Sequence, residues 1–412
     1  MPRFLRTSVV LVLSCAVPRL IYLWVVGPPQ DTDYYWELAS GLMRQHALIF
    51  DGRPTTAFEP LYPAFLALAR WMTADHAGLV ILVQIAVACA GVLWLYALVI
   101  SMTRDHVAAL VAALLLAGYP YLIRQSTAWI ELTLLITLLL ASWYYFTRIG
   151  GRAPQIACGV AMALAILTRA MVAPIWIVAL ALLIRDGKWR AAATVAATTL
   201  ILVAPALVRN YRIDGSLVPT RTGANLYVGN CEYSDRLIPR YDTDLLNYSG
   251  AVKDLNLTTP AAVDHALTLE AWSFMRAHPL RTLRLKLLNF VYFFDVRIVP
   301  YEALGPDSHL TILDNGGLVI ERLRTRPLWM SAVHSVVYSV ILIGAVAGLT
   351  LRRRLWRKDF LLLASVAVFA LVSMVYFPTT RLREPIIPVL MAYAGCAASA
   401  ALTRWKGRRV KA

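Results

Sequence analysis

The sequence predicts an all-α polytopic membrane protein, a bundle of about ten transmembrane helices with interfacial helices in its first loop. Three observations carry that expectation. Of the 412 residues, 59% are hydrophobic and 16% charged, whereas soluble domains are roughly 45 to 50% apolar. The apolar residues come in runs of about 18 to 22, the length that crosses roughly 30 Å of hydrocarbon at about 1.5 Å per residue. Lys and Arg also gather on alternate connections, as they do in proteins whose loops face two compartments.

The expected spans are 7–26, 77–100, 107–123, 129–147, 155–168, 171–184, 191–208, 329–350, 360–377 and 385–402. The 155–184 stretch is interrupted by Thr168, Arg169 and Pro174, which predicts two short helices meeting at one face. With both termini in the cytoplasm, the inner connections and tails carry 18 Lys and Arg, and the short outer loops carry 7. That bias favours cytoplasmic termini, a multi-pass chain in a bacterial plasma membrane, and loops 27–76 and 209–328 on the outer side. It also assigns the net charge of +16 to topology and contact with anionic lipid, not to nucleic acid. Residues 1–26 lack a small-x-small cleavage site and are read as the first helix.

The chain divides into 1–208 (seven helices and the first loop), 209–328 (the long outer loop) and 329–412 (three helices and a basic tail). In the first loop, Tyr34, Tyr35, Leu38, Ala39, Leu42 and Met43 recur at helical spacing along one face. Leu61 to Trp71 is a second interfacial piece, and residues 279–297 of the long loop are a third, basic at their start. Cys15, Cys89, Cys158 and Cys396 fall in apolar spans and Cys231 in a loop, so no disulfide framework is expected. Metal-ligand spacing is absent too, although Asp31, Asp33 and Glu59 are three carboxylates of the kind that gather around a divalent cation. The sequons at Asn247 and Asn256 matter only in a eukaryotic secretory setting.

Candidate chemistry sits on the outer side. Asp31 precedes a helical run, so it reads either as an N-cap or as a working carboxylate at the membrane surface; Asp33 and Glu59 pose the same choice. Glu131 is expected one turn inside an apolar helix, where an ionisable group suggests function, with Arg169 as its natural partner. Arg19, Arg169, Arg209, Arg212, Arg381 and Arg383 surround the outer mouth. Guanidinium groups there suit a phosphate at headgroup depth, or else snorkel to lipid.

Four stretches resemble the GT-C superfamily of membrane glycosyltransferases, in its dolichyl-phosphate-mannose protein mannosyltransferase and aminoarabinose-transferase-like branch (glycosyltransferase family 39-like). They are Asp31-x-x-Tyr34-Tyr35-x-x-x-Ala39, Glu59-Pro60-Leu61-Tyr62, Arg209-Asn210-Tyr211 leading to Gly223, Asn225, Gly229 and Asn230, and Arg381-x-Arg383-x-Pro385-x-x-Pro388. Thr32 stands where the family has Glu, the second stretch lacks its Lys, and Glu384 replaces a hydrophobic residue. The resemblance implies an inverting glycosyltransferase with a polyprenyl-phosphate sugar donor and no organic cofactor. The acceptor is a glycolipid, a protein or a polysaccharide. It implies Asp31 as general base, with Asp33 or Glu59 as a possible second acid, and Arg169, Arg209, Arg381, Arg383, Glu131 and Tyr35 as donor-phosphate or substrate contacts. A transporter or lipid flippase is the alternative reading, with Glu131 and Arg169 lining a path.

Overall fold

The computed structural model describes residues 2–29, 34–242, 260–302, 309–312, 318–321 and 328–409. The chain begins with α1 (Pro2–Val26), α2 (Tyr35–Gln45), a hairpin of β1 (Ile49–Phe50) and β2 (Arg53–Pro54), and α3 (Leu61–Met72). It continues through α4 (Ala77–Thr103), α5 (His106–Gly118), α6 (Pro120–Gln125), α7 (Leu132–Thr147), α8 (Arg152–Thr168), α9 (Ala173–Arg185) and α10 (Trp189–Asp214). The long loop holds α11 (Thr222–Val228), α12 (Ser234–Leu237), α13 (Pro260–Ala277), α14 (Pro279–Phe293) and the antiparallel strands β3 (His309–Ile312) and β4 (Leu318–Glu321). After it come α15 (Leu328–Arg352), α16 (Phe360–Val375), α17 (Thr380–Arg383) and α18 (Ile387–Arg409).

This is a polytopic helical bundle. Among the described residues five helical stretches are long and apolar enough to cross a membrane, and five more apolar helices have 13 to 17 residues. α15 packs on α18, α18 on α5, α5 on α4, α4 on α7, α7 on α8 and α8 on α10. α1 leans on α4 and α5, while α16 contacts α9 and α14. One continuous apolar core runs through these contacts. The α15–α18 approach is close enough that a Cβ at Gly348 would overlap the Tyr393 carbonyl, as expected where small residues let membrane helices pack backbone to backbone.

Three expectations need correction. The 107–123 span ends early: Tyr119 is extended, with ψ of 114°, because the residue before a proline, here Pro120, is driven out of the helical region. Glu131 is not one turn inside a helix but the N-cap residue of α7, so its carboxylate lies at the positive end of that helix. Arg19 does not face the outer mouth. It is buried and donates to Ser126 Oγ at 2.8 Å, Cys15 O at 2.9 Å and Ala117 O at 2.7 Å. Ala117 is in the last turn of α5, where carbonyls lack helical partners, so Arg19 seals that helix end. The expected break in 155–184 is present: Arg169 is extended, with φ of −157°, between α8 and a 3₁₀ turn at Ala170–Val172, and Pro174 occupies the first turn of α9.

The first loop is a small folded unit. Asp51 and Gly52 both have positive φ, 51° and 73°, the two-residue turn whose twist matches a hairpin, and Ile49 pairs with Pro54. Arg70 of α3 clamps α2. Its guanidinium lies 4.1 Å from the Trp36 ring centre and donates to Trp36 O and Ser40 Oγ, both at 2.8 Å, and to Asp75 at 2.6 Å.

Candidate active site

At the end of the bundle that carries the first loop, four parts of the chain converge. Glu131, at the N-terminus of α7, is 1% exposed. Its Oε1 accepts from Arg169, at the break after α8, and its Oε2 accepts from Arg381 of α17 at 2.5 Å. Both arginines keep about a quarter of their side-chain surface open, 23% for Arg169 and 27% for Arg381, so an anion can reach them. Glu59, just ahead of α3, accepts the Ala170 amide at 2.9 Å. That amide is at the start of a helical turn and has no partner within it.

Tyr35, in the first turn of α2, is buried against Phe58 and Tyr62, with ring centres 5.8 and 4.8 Å away. Burial, reinforced by Glu131, pushes its hydroxyl well above the ordinary tyrosine value; Arg381, Glu59 and Arg169 also act on it. It therefore remains a neutral donor beside the ion cluster. Two guanidinium groups share the Glu131 carboxylate, and burial raises the neighbouring Glu59 carboxyl above its usual range.

Tyr62 donates to Gln84 Oε1 at 2.5 Å, and the Gln84 amide donates to Ser126 O at 3.1 Å and Ala128 O at 2.8 Å. This ties α3 and α4 to the loop before α7. Gln84 was not anticipated, although a glutamine inside an apolar span is itself a signal for interhelical hydrogen bonding.

The structure thus brings together Tyr35, Glu59, Glu131, Arg169 and Arg381. It does not bring in Arg209, which turns to its neighbour Asn210 at 2.8 and 3.1 Å. Arg383 is also turned away: 1% exposed, it stacks 3.9 Å over the Tyr338 ring, lies 3.2 Å from His334 Nε2 and donates to Asp295 O. Asp31 and Asp33 lie outside the described residues. The helix they precede has Tyr34 as its N-cap, at φ of 62° and with no side-chain capping bond. Asn230 of the third sequence stretch is structural, its amide donating to Leu226 O at 2.7 Å and Val375 O at 3.0 Å. Among the described residues no cluster of three His, Cys, Asp or Glu could hold a metal ion.

No protein-family model matches the sequence, and no curated protein matches it either. Solved structures do. The oligosaccharyltransferase of Archaeoglobus fulgidus, tethered to an acceptor peptide containing an NVT sequon, matches with a TM-score of 0.59 at 14% identity, covering 99% of this chain and 50% of that one. The archaeal oligosaccharyltransferase AglB from Archaeoglobus fulgidus, in complex with an inhibitory peptide and a dolichol-phosphate, matches with a TM-score of 0.57 at 14% identity over 98% of this chain. The chain has the GT-C fold. It spans about half the length of the oligosaccharyltransferase chains it matches. ArnT of Cupriavidus metallidurans bound to undecaprenyl phosphate matches more loosely, with a TM-score of 0.42 at 12% identity over 96% of this chain and 77% of that one. Within the GT-C fold of this chain, the ion cluster lies at the bundle end that bears the first loop.

The Glu59 environment makes a pH-dependent prediction. The folded chain holds the Glu59 proton more tightly than the unfolded chain does, so this residue's contribution to stability falls as pH rises from 4.5 through the raised value. Glu59→Gln keeps an oxygen for the Ala170 amide and removes the ionisation. Thermal unfolding of the two proteins should coincide near pH 4, and the variant should be the more stable at pH 8.

Proposed function

We propose that this protein is an inverting glycosyltransferase that moves a sugar from a polyprenyl-phosphate donor to an acceptor at the membrane face opposite its cytoplasmic termini. The observation that carries the reading is Glu131 bridging Arg169 and Arg381, two partly open cations at the loop end of a GT-C bundle. In the proposed reaction Asp31 takes the proton from the acceptor hydroxyl or amine. The acceptor atom bonds to the anomeric carbon from the side opposite the phosphate. The bond from that carbon to the phosphate oxygen breaks, and its electron pair remains on the phosphate.

Charge therefore builds on the lipid phosphate as the bond breaks, so cations fixed beforehand stabilise the transition state more than the ground state. Arg169 and Arg381 are assigned that work and Tyr35 a neutral hydrogen bond to the phosphate. Arg209 and Arg383 are not included, because their donors are engaged elsewhere. Fixing the two arginines on one carboxylate removes the cost of ordering long side chains when the donor arrives.

The test is sugar transfer by the purified full chain in lipid, together with a titration of the protein with undecaprenyl phosphate. Arg381→Gln should weaken undecaprenyl phosphate binding about tenfold, the loss expected for one charge-assisted contact. Transfer by wild type from a polyprenyl-phosphate sugar supports the reading. Wild type that neither binds the lipid phosphate nor transfers sugar overturns it.

A further inference from the structure

Arg381 is held in place from two sides, and only one of them is Glu131. On the other side, the segment 374–383 is fastened along its length to the long loop. Lys286 of α14 donates to Val375 O at 2.7 Å, Asn230 donates to the same carbonyl at 3.0 Å, and Asn289 donates to Met374 O at 3.4 Å. Six residues further on, the Thr380 amide donates to Val299 O at 2.8 Å and the Val299 amide donates to Thr380 Oγ1 at 2.8 Å. Arg383 then reaches back to Asp295 O and, at 3.4 Å, to Phe293 O.

These bonds flank Arg381 on both sides in sequence, and Thr380 and Arg383 are both 1% exposed. The receiving end is itself stiffened. Asp295 accepts the Arg297 amide at 2.9 Å, the Arg297 guanidinium at 2.9 Å and the Tyr301 hydroxyl at 2.6 Å. Residues 289–299 therefore form a braced strap, not a slack connection.

We propose that this strap of the long loop positions Arg381 in the site, with Thr380 as the positioning residue that links the two. The inference rests on the reading of Arg381 as a phosphate-binding cation. It gives the long loop a second task, since any movement of residues 289–299 is passed through Thr380 to the guanidinium that faces the donor. Thr380 touches no substrate; it acts through its neighbour. Only one side-chain oxygen is needed, so serine serves as well as threonine, whereas valine keeps the shape and leaves the buried Val299 amide without its acceptor.

The experiment titrates the full-length protein with undecaprenyl phosphate and measures amide exchange on the same samples. Thr380→Val should bind the lipid about tenfold more weakly, the loss expected when a buried donor is left unpaired, with Thr380→Ser within about twofold of wild type. In an Arg381→Gln background Thr380→Val should cost nothing further, because the residue it positions has gone. Amide exchange should quicken in both 289–299 and 380–383. An equal loss in both backgrounds, or unchanged exchange in both segments, overturns the strap. Wild type that fails to bind undecaprenyl phosphate overturns the phosphate reading instead, and the exchange measurement then decides on the strap alone.

Discussion

Asp31→Asn is expected to reduce sugar transfer by about 10²- to 10⁴-fold, the usual contribution of a positioned general base, while leaving folding and undecaprenyl phosphate binding close to wild type. Asparagine keeps the shape of the side chain and a hydrogen-bonding oxygen but cannot take a proton at neutral pH. A capping role predicts the opposite pattern, a loss of stability with little effect on the rate per folded molecule. The assay compares turnover and thermal unfolding in one preparation. Full activity in Asp31→Asn would move the base to Asp33 or Glu59, to be tested by the same substitution.

Glu131→Leu should be the most destabilising single change at the cluster, lowering stability by about 3 kcal/mol, the lower end of what is lost when a buried ion pair is broken from one side. The leucine leaves Arg169 and Arg381 facing each other without the carboxylate that both contact. Removing one of the cations as well should recover part of the loss, so Glu131→Leu with Arg381→Leu is expected to be more stable than the sum of the single variants predicts. A bound lipid phosphate offers a replacement anion. Undecaprenyl phosphate should therefore raise the unfolding temperature of Glu131→Leu, through the ordinary linkage of binding to stability. Chemical or thermal denaturation in lipid nanodiscs reads all three quantities. A Glu131→Leu protein as stable as wild type would mean that the cluster carries little of the structure's energy.

Much of the fold was legible because a bilayer demands long apolar runs. Among the described residues the ten apolar helices, the break at Arg169 and the presence of helices α2, α3 and α14 all follow from hydropathy, proline placement and charge. Individual ends were less legible. The proline effect that ends α5 at Gly118 was readable from Pro120, but the N-cap status of Glu131 follows from the non-helical turn at residues 126–131, which hydropathy does not report. The hairpin turn at Asp51-Gly52 is signalled by that dipeptide, both of whose residues have positive φ.

At the site, sequence singled out Tyr35, Glu59, Glu131, Arg169 and Arg381 as polar groups near one face. It had no means of separating Arg381 from Arg383, two residues apart on a short helix. One points to Glu131 and the other packs under Tyr338. That difference comes from the long loop, whose carbonyls at Phe293 and Asp295 capture Arg383, and a contact between residues some 90 positions apart leaves no local pattern.

The helices whose ends present the cluster share a property with a consequence for the surrounding lipid. α7, α8, α9 and α16 have 16, 17, 13 and 16 residues, or about 20 to 26 Å of rise against roughly 30 Å of hydrocarbon. Such a shortfall in hydrophobic length is met by thinning the bilayer or tilting and shielding the helices. Where thinning is the response, the headgroup plane around this protein dips toward Glu131, Arg169 and Arg381. A polyprenyl phosphate, the donor proposed for this site, would then meet the two guanidinium groups by lateral movement, with its chain still dissolved in hydrocarbon.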